Sequence, residues 1–216
     1  MSGDWLILGD RQKLGERLGD RLTALGATVH LVYAEGMDAE GMDAEGKQCL
    51  APEKSEAFAT LMRSQPWSGI IYLWGLDANE TFQGCNYPSC AGLFHLAKAL
   101  AQHASTVPCR LWVITQNAQT PIAKASLQQN LLWGLGSTIA LEHPQQWGGL
   151  IDLPATIDDG MITAISAEIG TNAPEDRLQL RTDGRYGQRL RSWQPSSAHS
   201  SFTEEGIYLI TGAFGG

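Results

Sequence analysis

Short apolar runs alternate along the chain with stretches whose apolar residues recur at three- and four-residue spacing, the pattern of parallel strands joined by crossover helices. Trp5 to Leu8 is an unbroken apolar run that predicts the first strand. After Gly9 and Asp10, Leu14, Leu18, Leu22 and Leu25 line one face of a predicted helix. Lys13, Glu16, Arg17, Asp20 and Arg21 fall opposite, where Lys13 with Glu16 and Arg17 with Asp20 are spaced to pair. Gly26 is placed to stop that helix, and the β-branched stretch Thr28 to Tyr33 reads as the second strand.

The alternation then repeats. A helix starting near Pro52 would bury Phe58, Leu61 and Met62 before Pro66, and the nearly wholly apolar Gly69 to Trp74 predicts a strand covered on both faces. A helix over Ser89 to His103 carries Leu93, Leu96, Ala97 and Leu100 on one side, followed by a strand from Leu111 to Thr115. The long pattern Ala123 to Glu142, with Leu127, Leu131, Leu135 and Ile139 at four-residue spacing, predicts a helix that ends before Pro144. Leu150 to Leu153 reads as a strand, and Thr156 with Asp159 has the spacing of a capping box before Ile162, Ile165 and Ile169. Arg177 to Thr182 and Arg185 to Trp193 flank Asp183-Gly184, a hairpin signal. Residues 194–201 read as a linker, and Ile207 to Thr211 as a last strand. The fold class expected is α/β, a truncated Rossmann-like parallel sheet flanked by helices, with a C-terminal hairpin.

Between the second strand and the helix after it, residues 34–46 repeat Ala-Glu-Gly-Met-Asp. Two acids in every five positions leave no apolar face, so this is read as a solvated loop. Its Gly41 to Gln48 is a near miss to a phosphate loop, but Gln48 stands where magnesium needs a hydroxyl, and Asp43 and Glu45 would repel phosphate.

With 216 residues and 43% apolar composition the chain can bury a core. A net charge of -8, without basic stretches interleaved with aromatics, argues against nucleic acid as a partner. No apolar run approaches the ~18 residues that span a bilayer, so no membrane contact is expected and the location expected is cytoplasmic. Cys49, Cys85, Cys90 and Cys109 form no C-x-x-C pair and the five histidines are scattered, so reduced thiols and no metal site are expected.

Candidate chemistry is sparse. The first strand, turn and helix have the placement of a dinucleotide site, but only Gly9 and Gly15 stand where three glycines are needed. Asp10 puts a carboxylate where phosphate would meet the helix N-terminus. No G-x-S-x-G is present, and Asp158-Asp159 is better read as a helix-dipole partner than as paired catalytic acids. Arg177, Arg181, Arg185, Arg189 and Arg191 could bind phosphate, or could pair acids on a solvated hairpin face or an interdomain seam. The end is more pointed: Tyr208-Leu-Ile-Thr-Gly-Ala-Phe-Gly-Gly216 has the strand and glycine turn of a nucleotide site without its helix.

Three internal stretches join that ending in one resemblance. LWVITQNAQ from Leu111 to Gln119, the block from Leu132 through Trp133, Pro144 and Trp147 to Leu153, and EDRLQLRTDGRY from Glu175 to Tyr186 resemble the ketoreductase region of modular type I polyketide synthases. That region is itself similar to the one in animal fatty acid synthase. The resemblance implies a two-part enzyme: a structural half and a catalytic half of short-chain dehydrogenase type that uses NADPH to reduce a β-ketoacyl chain on an acyl carrier protein. It implies a structural subdomain over 1–193, a linker over 194–203, and over 204–216 the start of the NADPH-binding subdomain. Thr211, Gly212, Gly215 and Gly216 match cofactor-binding positions of an incomplete motif.

In such enzymes a Tyr followed four residues later by Lys handles the proton. Here Tyr33, Tyr72, Tyr87, Tyr186 and Tyr208 lead to Met37, Leu76, Ala91, Leu190 and Gly212, so no catalytic residue is assigned. The chain is expected to bind no NADPH by itself, with the catalytic subdomain as its partner and the acyl carrier protein met only indirectly. The alternative is a self-standing Rossmann-like module that binds a protein or an acyl carrier protein.

Overall fold

The computed structural model describes residues 1–34, 48–77, 88–103, 108–119, 127–171, 174–193, 205–209 and 211. Strand β1 (Asp4–Gly9) leads through α1 (Leu14–Ala24) to β2 (Thr28–Ala34), followed by the short β3 (Gln48–Leu50) and α2 (Ser55–Ser64). Then come β4 (Trp67–Tyr72), α3 (Pro88–Gln102), β5 (Arg110–Gln116), α4 (Leu127–Glu142), β6 (Trp147–Leu153), α5 (Asp159–Gly170), β7 (Arg177–Arg181) and β8 (Gly184–Gly187). They form one eight-stranded sheet in the order β3-β2-β1-β4-β5-β6-β7-β8, parallel throughout except for the antiparallel pair β7 and β8. No helix among the described residues is long and apolar enough to cross a membrane.

Period-two alternation sends successive strand residues to two separate cores. Leu6, Leu8, Ile70, Tyr72, Leu111 and Val113 pack with α2, α3 and α4, while Trp5, Ile7, Ile71, Trp112 and Ile114 pack with α1 and α5. The central strands are buried on both faces, as their continuous apolar sequence predicts. Each fully buried Leu or Ile contributes about 1.5–3 kcal/mol, so these two layers hold the frame on which the strand ends are presented.

Local sequence sets the boundaries. Gly26, at φ +94°, takes the left-handed turn that ends α1, and its amide bonds to the Thr23 carbonyl at 2.9 Å. Leu25 consequently lies past the helix and is exposed rather than on the buried face with Leu14, Leu18 and Leu22. The N-cap of α5 is Asp158, whose carboxylate accepts the Met161 amide at 2.8 Å, in place of the Thr156 box expected. Asp158 sits immediately before the first turn, where its side chain reaches the third helical amide.

The buried face of α4 is also rotated from expectation. Gln129, Leu132, Trp133, Gly136 and Ile139 point inward, whereas Leu131 is exposed. A helix apolar nearly all round has no single dominant stripe to read.

The hairpin closes one residue earlier than expected, since Arg181 pairs with Gly184 across Thr182-Asp183. The strand expected over Ile207 to Thr211 is not in the sheet where it is described: Ile207, Tyr208 and Leu209 are exposed and belong to none of the described strands. The acidic repeat, apart from Ala34, and the linker, from residue 194 on, lie outside the described residues.

Candidate functional site at the carboxyl ends of the strands

In this strand order the chain reverses direction across the sheet between β1 and β4, and the crevice at their carboxyl ends is where open α/β sheets bind ligands. A cavity of about 160 Å³ lies there, bordered by Asp10, Gln12, Arg17, Leu76, Gln116 and Ile157. Its polar groups are already engaged within the chain.

Asp10 follows the last residue of β1 and is only 1% exposed. Its carboxylate accepts the amides of Gly15 at 2.7 Å and Leu14 at 3.2 Å, at the opening of α1. Those amides and the positive helix end are what a pyrophosphate would need. Lys13, at φ +65°, takes a left-handed conformation in the turn that makes this grip possible. Gly15 keeps one role of a dinucleotide glycine, since a Cβ on it would stand 3.1 Å from the Gly9 Cα and push the helix off the strand.

The neighbouring strand end is closed as well. Tyr33, opposite Gly9 in the register of β1 and β2, stands where a dinucleotide fold carries an acid for the ribose. Its hydroxyl donates to Glu16 Oε1 at 3.1 Å, and its ring lies over Gly9, where an added Cβ would be 3.1 Å away. Burial, reinforced by the Glu16 charge, raises the Tyr33 hydroxyl far above its ordinary range, so the phenol stays neutral.

On the β4 side, the Arg11 amide donates to both oxygens of Asp77, at 2.9 and 3.2 Å. Burial lifts the Asp77 carboxyl to about 6; the Arg11 amide opposes this and the Asp10 charge adds to it. Arg17 spans the rim, donating to the Ile157 carbonyl at 3.1 Å and to Asp159 at 2.8 Å. Gln116 Nε2 reaches the carbonyls of Pro154 at 3.0 Å and Ala155 at 2.9 Å. The residues present do not fit a dinucleotide: a carboxylate occupies the phosphate position, and a phenol caps the ribose position.

A second constellation, not singled out from the sequence, fastens the ends of β5, β6 and β7. Asp152 is fully buried and accepts from Thr115 Oγ1 at 2.8 Å, from the amides of Ala118 at 2.8 Å and Gln119 at 3.2 Å, and from Arg181 Nη2 at 2.7 Å. Arg181 Nη1 also donates to the Asp152 carbonyl at 2.8 Å, and Trp133 Nε1 donates to Thr115 Oγ1 at 2.9 Å. A lone acid inside the apolar run Leu150-Ile-Asp-Leu153 was the available signal. Asp152 can hold structure here, but it has no free lone-pair direction aimed at the crevice for acid-base work.

Among the described residues, three of the five clustered arginines have an acid of this chain as partner. Besides Arg181, Arg185 grips Glu168 at 2.6 and 2.7 Å, and Arg189 grips Glu175 at 2.5 and 2.7 Å. Hydrogen bonding to Arg189 lowers the Glu175 carboxyl, and hydrogen bonding to Glu168 raises Arg185. These three arginines serve acids of this chain, the acid-pairing reading of the cluster.

Among the other candidates, Thr211 is exposed and outside the sheet, and Gly212, Gly215 and Gly216 lie outside the described residues. Cys90 and Cys109 are thiols, and burial pushes Cys109 up to about 12; Cys49 lies in β3. Cys85 lies outside the described residues.

The sheet order and the helices on both faces define a Rossmann-like α/β fold. No family model matches the chain. It is 37% identical over 236 residues to the pikromycin polyketide synthase component PikAIII of Streptomyces venezuelae, covering 100% of this chain and 12% of that protein. It is 30% identical over 225 residues to the polyketide synthase GfsA of Streptomyces halstedii, covering 100% of this chain and 3% of that protein. The chain thus spans a small part of these relatives. A C2-type ketoreductase from a modular polyketide synthase superposes with a TM-score of 0.66 at 22% identity, over 91% of this chain and 42% of that one. The chain is related to the ketoreductase region of type I polyketide synthases, and its fold is that of the solved ketoreductases.

Proposed function

We propose that the chain is the structural half of a polyketide synthase ketoreductase, over residues 1–193, and that residues 204–216 open the catalytic half. The single observation that carries this reading is the buried Asp10 carboxylate on the amides of Leu14 and Gly15, which fills the phosphate position with the chain's own charge. On this reading, NADPH supplies hydride to a β-ketoacyl chain in the catalytic half, and the acyl carrier protein meets that half. The present chain contributes a rigid neighbour. It holds the ends of β5, β6 and β7 through Asp152, Thr115 and Arg181, and it neither binds NADPH nor moves a proton on the substrate. Leu190, Trp193, Ile207 and Leu209 are exposed apolar residues on either side of the expected linker, available to a partner on this reading.

The test is complementation. The segment of PikAIII that starts at the position matched to Glu204, and so keeps the opening strand and glycine turn of the catalytic half, is assayed for NADPH oxidation with a β-ketoacyl thioester, alone and with the 216-residue chain added. The reading expects activity or thermal stability of that segment to rise on addition, and no oxidation from the chain alone. Turnover by the chain alone would overturn it.

A further inference from the structure

Three arginines stand on β7 and β8, and two of them, Arg181 and Arg185, grip acids of this chain. Arg177, at the start of β7, is partly buried, and its guanidinium has no partner among the described residues. Acids are at hand, since Glu175 and Asp176 directly precede it. Both turn elsewhere: Glu175 holds Arg189, and Asp176 accepts Trp147 Nε1 at 3.2 Å. A cation that has lost part of its water without gaining a carboxylate has its charge-assisted bonds still to make.

The strand pattern puts this guanidinium beside a cavity. Alternation along β7 sends Leu180 into the core with α1 and α5, so Arg177, Gln179 and Arg181 lie on the side of α4. Between α4 and the hairpin of β7 and β8 is a cavity of about 120 Å³, bordered by Gln119, Trp133, Arg177, Gln179, Tyr186 and Gln188. Arg177 is the charged member of this lining, and no acid belongs to it among the described residues. The polar atoms of the two aromatic residues are already committed: Tyr186 donates to Asp183 at 2.9 Å and Trp133 Nε1 to Thr115 Oγ1 at 2.9 Å. What they have left to offer is ring surface. Gln119 Nε2 is tied to Asn130 at 2.7 Å and Gln179 Nε2 to the Gln119 carbonyl at 3.1 Å, which fixes the wall around the guanidinium.

We propose that the cavity between α4 and the hairpin binds a small monocarboxylate with a flat or short apolar body, its two oxygens on the Arg177 guanidinium and its body against Trp133 and Tyr186. The planar fork of arginine matches the two oxygens of a carboxylate. One cation balances one negative charge, whereas a phosphate group brings about 1.5 to 2 at pH 7. The excess would fall on a chain whose net charge is already -8. Size agrees, because a cavity of about 150 Å³ takes a benzene ring, so this slightly smaller one holds a carboxylate and the first carbons behind it. The site is independent of the function proposed above.

The experiment titrates benzoate into the isotope-labelled 216-residue chain and follows the Trp133 indole N–H and the Arg177 Nε–H by nuclear magnetic resonance. Saturable shifts at both are expected, with a Kd of about millimolar for so small a ligand. Arg177→Met should weaken binding about tenfold or more, and Arg177→Lys should restore only part of it, since a point charge replaces the fork. Arg191→Met, at an exposed position outside the lining, should leave binding unchanged and controls for net charge. Inorganic phosphate at equal ionic strength should bind several-fold more weakly. Phosphate that binds as tightly as benzoate and moves the same two resonances overturns the carboxylate assignment. Benzoate shifts that do not saturate, that miss these two resonances, or that survive Arg177→Met overturn the site. Should Arg177→Met fail to fold, the two resonances of the parent chain decide by themselves.

Discussion

Replacing Arg181 with Met tests whether the buried Asp152 network is what fastens β5, β6 and β7 at their carboxyl ends. Asp152 is fully buried and Arg181 one-fifth exposed, joined at 2.7 Å. Met keeps much of the arginine stem, so the loss is chiefly that of the guanidinium. Removing one partner of a buried pair costs about 3–5 kcal/mol, because the other charge stays buried without compensation. Three donors remain on Asp152, from Thr115, Ala118 and Gln119, and the arginine site is partly open. The loss therefore falls near the lower end, about 3 kcal/mol. At about 2–4 °C per kcal/mol for a chain of this size, the midpoint drops by roughly 6–12 °C. Urea unfolding followed by far-ultraviolet circular dichroism reads the same loss as a lower midpoint at unchanged slope. Thr115→Val should couple to Arg181→Met non-additively, since both act on one carboxylate. A loss below about 1 kcal/mol, the worth of a surface ion pair, together with simple additivity, would refute the claim that this network holds the strand ends.

Three further outcomes follow from single residues. Asp77, held up to about 6, binds its proton more tightly folded than unfolded, so its contribution to stability is greatest at low pH and is lost as pH rises from about 4 through 6; the stability difference between parent and Asp77→Asn should shift against the parent over that window in urea titrations. Gly69→Ala would place a Cβ 2.5 Å from the Trp5 ring, which stacks on Trp112 with centroids 5.7 Å apart, and should cost about 1–3 kcal/mol in the same assay. Asp158→Ala removes the cap on α5 and should cost about 1 kcal/mol, with early amide exchange confined to the first turn of that helix.

What the sequence made legible was whatever one element states by itself. The leucines of α1 and the isoleucines of α5 name their buried faces, and the continuous apolar β4 announces cover on both sides. Asp10 could be read because its chemistry is local: a carboxylate four and five residues before the amides it accepts. Asp152 and Arg181 could not, being 29 residues apart and joined only once β6 and β7 are known to be parallel neighbours. Tyr33 was read as a strand residue, and its place over Gly9 depends on the register of β1 against β2. The three residues of β3 are too few to leave a pattern of their own, and the outward side of α4 is hidden by a helix whose apolar residues face every direction.

The central claim is that the helix-end amides at the switch point serve Asp10 and leave no place for a dinucleotide. Calorimetric titration of the 216-residue chain with NADPH tests it most directly. The account predicts no saturable heat up to millimolar cofactor. Saturable binding in the micromolar range, weakened by bulk introduced at Gly9, would contradict it.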